Sequence, residues 1–322
     1  MLYPPITPFD SGWLDVGQGH RIYWEQCGRS DGLPVLFLHG GPGGGTAEKA
    51  RRYFDPQHYR AVLFDQRACG RSTPHASTEA NDTAHLVADM ERLREHLKID
   101  RWVLCGGSWG CALALAYTQQ HRERVLGIVM RGVFTGQPHE FDWLYRSGGA
   151  SQVFPQAWGK FAGALGNPPS LADIQSKPYA LFQSYVDELL SDNPVRQLRA
   201  ALAWCQWESA LSSLYADAPA TAQDPRHCLA MARISAHIFV NDPWLGRANR
   251  LWPVHYLAGL PGIIVQGRFD MVTPAVTAEQ LHQAWPGSEL RMVTEAGHTS
   301  NDPALQRALT GALDDMAGKI PH

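Results

Sequence analysis

The chain has 322 residues, of which 44 % are hydrophobic and 18 % charged, and this composition indicates a globular protein and excludes a disordered one. The formal net charge of −3 gives no reason to expect nucleic acid or an anionic membrane as a partner. The six cysteines show no C-x-x-C pair and no metal-ligand spacing, which favours free thiols in a reducing compartment. With no apolar run of membrane-spanning length and no signal-peptide pattern, we expect a soluble cytoplasmic protein.

Short apolar runs alternate with longer helical patterns along most of the chain. The strands predicted in chain order are Val35–Gly40, Tyr59–Arg67, Trp102–Gly107, Val125–Gly132, Gly262–Gly267 and Glu289–Val293. The helices predicted between and after them are His85–Leu97, the segment following Trp109, roughly Pro274–Ala284 and the C-terminal segment. Continuous apolar strands that alternate with helices predict a mostly parallel sheet with helices on both faces.

The middle of the chain breaks this alternation. Residues 135–250 are rich in Trp, Ala, Gln and Pro, and their helical patterns have no strands between them. We therefore predict a helical cap domain over residues 135–250, inserted into an α/β core that is built from residues 1–134 and 251–322.

The stretch Gly106-Gly107-Ser108-Trp109-Gly110 fits the pattern G-x-S-x-G and lies between a predicted strand and a predicted helix. In that context a sharp turn lifts the serine hydroxyl above the sheet, and its close neighbours must be small. The alternative is a glycine-rich turn with an incidental serine. The strand–helix context favours a nucleophile at Ser108.

A nucleophilic serine needs a base that is oriented by an acid, and in this architecture the acid precedes the base in the chain. Asp270 and His298 each follow a late predicted strand, so both are expected at the sheet edge where Ser108 stands. The rival acid, Asp302, has the pattern of a helix cap before a proline, and the rival base, His282, lies inside a predicted helix. We therefore predict Asp270 as the acid and His298 as the base.

A glycine-rich loop, His39–Gly45, follows the first predicted strand. Loops of this type donate one backbone N–H to an oxyanion hole, and the residue after the nucleophile donates the other. We assign these donors to Gly41 and Trp109. A phosphate-binding loop is the alternative, but the Lys-Ser/Thr ending and the G-x-G-x-x-G spacing are both missing.

These motifs resemble the proline iminopeptidase family of the α/β-hydrolase superfamily. The matching segments are HGGPGGG (His39–Gly45), DQRACGRS (Asp65–Ser72), Asn81–Leu97, GGSWG (Gly106–Gly110), RGVF (Arg131–Phe134), MARISAHIFVN (Met231–Asn241), GRFD (Gly267–Asp270) and AGH (Ala296–His298). The resemblance spans nearly the whole chain. HGGPGGG followed by DQR-x-CGRS is its most specific part, although Ala68 stands where the family commonly has glycine.

The resemblance implies an α/β-hydrolase fold with a helical cap and the removal of an N-terminal proline from peptides without metal or organic cofactor. Ser108, Asp270 and His298 fall on the family's nucleophile, acid and base. Glu208 falls on one of the acidic cap residues that hold the substrate's free amino end, and on a helix it would share a face with Trp204. The second acidic residue of the family is replaced by Ser235.

Three hypotheses about function follow. The first is a serine aminopeptidase that acts on small peptide or aminoacyl substrates, with Phe134 and Phe239 as walls of its pocket. The second keeps the mechanism but uses another aminoacyl amide, or an ester or amide without a charged amine, because Ser235 removes one carboxylate. The third is a non-catalytic binding protein. Neither nucleic acid nor a membrane is expected as a partner, and homo-oligomer formation stays open.

Overall fold

The computed structural model describes residues 1–177, 179–214, 224–242 and 250–320, and within them it contains one eight-stranded sheet. The strands are β1 (Asp10–Gly17), β2 (His20–Gly28), β3 (Leu33–Leu38), β4 (Tyr59–Phe64), β5 (Trp102–Ser108), β6 (Val125–Val133), β7 (Gly262–Gly267) and β8 (Ser288–Val293). They lie in the order β1-β2-β4-β3-β5-β6-β7-β8. β1, β2 and β4 pair antiparallel, and every other neighbouring pair is parallel.

Helices cover the sheet on both faces and also form a separate group between β6 and β7. They are α1 (Thr83–His96), α2 (Trp109–Gln120), α3 (Pro138–Tyr145), α4 (Ala150–Val153), α5 (Pro155–Gly163), α6 (Leu171–Ser176), α7 (Ala180–Leu189), α8 (Pro194–Ser212), α9 (Pro225–Asn241), α10 (Ala275–Ala284) and α11 (Pro303–Lys319). We refer to α3 to α9 as the helical insertion. None of the helices in the described ranges is long and apolar enough to cross a membrane.

Two apolar clusters sandwich the sheet, as the continuous apolar strands predict. One contains Leu36 and Leu104 together with α1, α2 and much of the helical insertion, and the other contains Val35 and Val103 together with α11. Successive residues of β3 and β5 thus point into opposite clusters. All six residues of β7 are buried. This arrangement confirms the predicted α/β fold and the mostly parallel sheet.

The N-terminal hairpin of β1 and β2 is absent from our predicted strands. β1 has a largely polar, exposed sequence, so it gives no apolar run. β2 buries Glu25, a residue type that argues against a core strand. The structure satisfies this carboxylate with Arg51, whose Nε lies 2.7 Å from Glu25 Oε1. That ion pair is a tertiary contact which a local pattern does not encode.

Candidate active site

Ser108 lies where β5 turns sharply into α2, and its backbone adopts φ 56° and ψ −123°. Such a conformation is strained for a non-glycine residue and marks a position that the surrounding structure enforces. Two neighbours leave no room for a side chain. A Cβ on Gly106 would lie 2.5 Å from the Gly110 carbonyl oxygen, and one on Gly110 would lie 2.1 Å from the Leu38 carbonyl oxygen. The glycines therefore allow α2 to start directly against β3, and the turn leaves Ser108 only partly buried.

Asp270 and His298 meet beyond the carboxyl ends of β7 and β8. His298 Nδ1 lies 2.7 Å from Asp270 Oδ2. The same carboxylate accepts hydrogen bonds on Oδ1 from the backbone N–H groups of Val272 and Thr273, at 3.0 and 2.8 Å, and on Oδ2 from the Thr273 hydroxyl at 3.0 Å. These donors hold Asp270 as an oriented acceptor, so that His298 carries its proton on Nδ1 and keeps Nε2 free to accept one.

The glycine-rich loop that follows β3 passes directly over the serine turn. A Cβ on Gly40 would lie 3.2 Å from Ser108 Cβ. Within the loop the Gly44 N–H donates to the Gly40 carbonyl at 3.1 Å, which curls the chain around Gly41. Trp109 is the first residue of α2 and is fully buried, so its backbone N–H stands at the N-terminus of that helix beside Ser108.

A cavity of about 450 Å³ lies between the sheet edge and the helical insertion. Six of the nine predicted site residues line it: Gly41, Ser108, Phe134, Glu208, Phe239 and His298. Asp270 does not line the cavity itself but lies behind His298, and Trp109 lies beneath the serine turn. Phe134 and Phe239 have ring centroids 5.8 Å apart, and with Phe141 they form an aromatic wall.

Glu208 projects from α8 into the cavity with two hydrogen bonds on one oxygen. Oε1 accepts from the Tyr145 hydroxyl at 2.9 Å and from the Trp204 indole N–H at 2.7 Å. No Lys, Arg or His of the described residues forms an ion pair with it. Burial of the carboxyl group raises its pKa to about 7. Within the described part of the chain this carboxylate has no cation as partner, which suits a cationic ligand group.

Comparison with known proteins identifies the family of this chain. The alpha/beta hydrolase fold model matches residues 34–304. Proline iminopeptidases of Arabidopsis thaliana and Xylella fastidiosa are each 45 % identical to this chain over 318 residues, which is 98 % of this chain and 82 % and 99 % of those proteins. The chain belongs to the proline iminopeptidase family of α/β hydrolases. It is an enzyme of the hydrolase class, and the predicted family is confirmed.

Further relatives agree with this assignment. The Neisseria gonorrhoeae proline iminopeptidase is 42 % identical over 320 residues, covering 99 % of this chain and 100 % of that protein. Among solved structures, a proline iminopeptidase-related protein from Thermus thermophilus has a TM-score of 0.53 at 23 % identity, covering 97 % of this chain and 99 % of that one. A Rhodococcus esterase has a TM-score of 0.60 at 18 % identity, covering 99 % and 100 %. These two structures support the fold alone.

Ser235 lies at the contact between α9 and the glycine-rich loop. It is fully buried on α9, and its hydroxyl donates to the Pro42 carbonyl at 3.2 Å. It is not among the residues that line the cavity. Its assignment as a substrate contact stays a prediction, and in the structure Ser235 connects the helical insertion to the glycine-rich loop.

Three contributors to the site were not predicted from the sequence. Tyr145 holds Glu208, Thr273 holds Asp270, and the Ser212 carbonyl accepts the His298 and Thr299 N–H groups at 3.0 and 2.9 Å. Thr273 follows Asp270 by three residues before a proline, a local turn pattern that would have indicated it. Tyr145 and Ser212 carry no such pattern, because each acts on a residue from a distant part of the chain.

Proposed function

We propose that the protein is a serine aminopeptidase that releases an N-terminal proline from peptides through an acyl-enzyme intermediate. The observation that carries this proposal is that Ser108, His298 and Glu208 line one cavity, with His298 hydrogen-bonded to Asp270 and Glu208 hydrogen-bonded to Tyr145 and Trp204. The curated relatives, named proline iminopeptidases, support the choice of proline.

The acylation step uses the groups of the core. His298 Nε2 takes the proton of the Ser108 hydroxyl as Oγ attacks the carbonyl carbon of the first residue. The carbonyl oxygen becomes an oxyanion, which accepts hydrogen bonds from the Gly41 and Trp109 N–H groups. Asp270 stabilises the imidazolium and holds its orientation. His298 then gives the proton to the leaving amine, the peptide bond breaks, and an aminoacyl ester remains on Ser108.

Deacylation repeats these roles with water. His298 takes a proton from a water molecule, whose oxygen attacks the ester carbonyl, and the same two N–H groups hold the second oxyanion. When the tetrahedral intermediate collapses, His298 returns the proton to Ser108 Oγ. The products are the free first residue and the shortened peptide, and the enzyme regains its starting state.

Glu208 supplies the preference for a free amino end. Its carboxylate faces the cavity, and Tyr145 and Trp204 occupy Oε1, which leaves Oε2 for a substrate ammonium group. A charge-assisted hydrogen bond in a partly desolvated site is stronger than a neutral one. An N-blocked substrate has no ammonium group to offer, so the proposal predicts an exopeptidase.

A second function with the same mechanism is favoured by Ser235. The resemblance leads us to expect a second acidic residue there, but the chain has a buried hydroxyl that contacts the loop at Pro42. With a single carboxylate the site would accept another aminoacyl amide, or an ester or amide without a charged amine. Loss of one carboxylate weakens the discrimination in favour of a charged nitrogen.

We also propose that residues 135–250 act as a cap domain over a core of residues 1–134 and 251–322. The cavity between α8, α9 and the sheet edge supports this division. None of the six cysteines, all of them in the described ranges, forms a disulfide. This supports a cytoplasmic enzyme, because disulfides are rare in a reducing compartment.

A panel of chromogenic substrates tests the proposal: a free-amine proline anilide, its N-blocked form, a free-amine alanine anilide and a short acyl ester. We expect the wild type to hydrolyse the free proline anilide fastest, and N-blocking and Ser108→Ala each to abolish turnover. Ser108→Ala removes the nucleophile while the fold survives, so its rate falls by about 10⁴-fold or more. Circular dichroism of the variant controls for folding.

Other outcomes discriminate between the hypotheses. Faster hydrolysis of the ester or of the N-blocked anilide would establish the second function. Absence of turnover on the whole panel, together with no labelling of Ser108 by a fluorophosphonate, would favour the non-catalytic binding protein. Full activity of Ser108→Ala would overturn the mechanism itself.

A further inference from the structure

The buried side chain of Gln66 connects the two segments that carry the oxyanion donors. Gln66 follows β4, and its side-chain Nε2 donates to the His39 carbonyl at 3.0 Å. Its Oε1 accepts from the indole N–H of Trp109, also at 3.0 Å. Since β4, β3 and β5 are adjacent in the sheet, one side chain crosses the end of β3 and links the residues that follow all three strands.

The polarity of these two bonds requires a carboxamide. A backbone carbonyl only accepts and an indole N–H only donates, so the bridging group must offer one donor and one acceptor. A carboxylate would meet the His39 carbonyl with a second acceptor, and an aliphatic side chain would leave both buried partners unsatisfied. The two partners also assign the orientation of the amide, with Nε2 toward the His39 carbonyl and Oε1 toward the Trp109 indole N–H.

A third bond strengthens the connection to the glycine-rich loop. The Gln66 backbone N–H donates to His39 Nε2 at 3.0 Å, and His39 Nδ1 lies 2.9 Å from the Gly40 carbonyl. Because a backbone N–H only donates, its bond requires an unprotonated His39 Nε2, and a neutral ring then carries its proton on Nδ1. Burial lowers the pKa of His39, which keeps the ring neutral and able to accept that bond.

The linked groups are direct neighbours of the oxyanion donors. The His39 carbonyl is one peptide unit before the Gly41 N–H, and the indole belongs to the residue whose own N–H is the second donor. A donor that moves by a fraction of an ångström loses much of its effect on a developing charge. We propose that Gln66 is a positioning residue that sets the separation of the Gly41 and Trp109 N–H groups in the oxyanion hole.

This inference rests on the proposed function, and two variants test it. Gln66→Met keeps the side-chain length but removes both side-chain bonds, and we expect kcat on the best substrate to fall about 10- to 100-fold while KM changes less than about threefold. Thr118→Val is the matched control, because it removes a buried hydrogen bond at the other end of α2, from the Thr118 hydroxyl to the Ala114 carbonyl at 2.7 Å. We expect its kcat within about twofold of the wild type.

The rate of Ser108 labelling by a fluorophosphonate is measured in parallel. That reaction needs the nucleophile and the oxyanion donors but no peptide recognition, so it reports on Gln66 even where every peptide substrate fails. We expect Gln66→Met to slow labelling about tenfold or more. An unchanged rate, or a loss no larger than that of Thr118→Val, overturns the proposal. A raised KM at unchanged kcat overturns it as well, because that result would make Gln66 a substrate-binding residue.

Gln66→Glu separates positioning from a merely structural role. A protonated carboxyl group has one donor and one acceptor and restores the bridge, whereas a carboxylate does not. Burial raises the pKa of such a glutamate, so its labelling rate relative to the wild type should increase as the pH falls from about 8 to about 6. Gln66→Met should show no such trend. A flat ratio for a folded Gln66→Glu variant contradicts the proposal, and this variant also serves as the test if Gln66→Met fails to fold.

Discussion

The α/β core and the helical insertion hold their functional groups by different means. In the core, backbone geometry contributes directly: the strained turn presents Ser108, and the N–H groups of Val272 and Thr273 orient Asp270 together with the Thr273 hydroxyl. In the insertion, side chains hold a side chain, as Tyr145 and Trp204 do for Glu208. Backbone geometry follows from local sequence, whereas side-chain contacts between helices depend on the assembled fold.

The two regions nevertheless touch at the candidate active site. The Ser212 carbonyl at the end of α8 accepts the backbone N–H of His298, and α8 also carries Glu208. On the other side of the cavity, Ser235 of α9 bonds to the Pro42 carbonyl. The insertion therefore contributes to the position of core residues as well as to the cavity wall. Substitutions confined to the core or to the insertion test how far the roles of these two regions can be separated.

The largest effect on stability is expected at the strand–helix turn of the core. In Gly110→Ala the new methyl group would lie 2.1 Å from the Leu38 carbonyl oxygen and 3.2 Å from that of His39. Both contacts are backbone atoms of the sheet edge, which cannot move aside. We expect a loss of about 3 kcal/mol or more in the free energy of unfolding, measured by urea denaturation. A variant as stable as the wild type would mean that the turn is far more adaptable than its geometry indicates.

In the insertion, Glu208→Gln should affect recognition and leave the chemistry intact. The amide still accepts hydrogen bonds from Tyr145 and Trp204 but carries no charge for an ammonium group. A hydrogen bond to a charged group contributes about 1.5 to 3 kcal/mol, so kcat/KM for the free-amine proline anilide should fall about 10- to 100-fold. Turnover of a short acyl ester should change little.

The exposed residue Glu279 provides the matched control for this variant. Glu279→Gln makes the same chemical change on α10 and should leave both substrates unaffected. Equal losses on ester and anilide in Glu208→Gln would contradict a role in amine recognition, because the ester offers no charge to recognise.

The same contrast explains what could be predicted from the sequence. The strands β3 to β8 were predicted because buried parallel strands give continuous apolar runs bounded by glycine. Ser108 was predicted because its function needs glycine neighbours at set positions, and Asp270 and His298 because chain order and strand ends restrict the choice. The hairpin of β1 and β2 was missed, since its buried Glu25 forms its ion pairs with Arg51 and Arg71, which both lie in distant segments.

The contacts of the insertion could not be predicted from the sequence, for the same physical reason. Glu208 looks like an ordinary surface glutamate unless Tyr145, 63 residues earlier, is known to contact it. Ser235 is the reverse case: the family pattern placed it in the substrate site, and only the packing of α9 on the glycine-rich loop shows its contact with Pro42. Helix periodicity gives the buried face of a helix but not its partner.

The pH dependence of the reaction gives a further test of the role of Glu208. Burial raises the pKa of Glu208 to about 7, so in the free enzyme the carboxylate becomes protonated as the pH falls through that value. A neutral acid cannot pair with an ammonium group. Between pH 8 and 6 we expect kcat/KM for the free-amine anilide, divided by that for the acyl ester, to fall about tenfold.

The ratio to the ester removes every pH effect that both substrates share. In Glu208→Gln the same ratio should be independent of pH. A pH-independent ratio in the wild type would instead assign amine recognition to another group of the cavity.

The smallest effect is expected at an exposed glycine of the insertion. Gly159 lies in the interior of α5, is exposed, and has no atom within 4 Å of a Cβ placed on it. Gly159→Ala makes the same chemical change as Gly110→Ala, but here the methyl group only restricts the unfolded chain and favours the helix. We expect a gain of about 0.5 to 1 kcal/mol in the free energy of unfolding and unchanged kcat and KM, because α5 does not line the cavity. A loss of stability would show that the insertion tolerates an added methyl group as poorly as the core does. A change in kcat would show that α5 affects the active site.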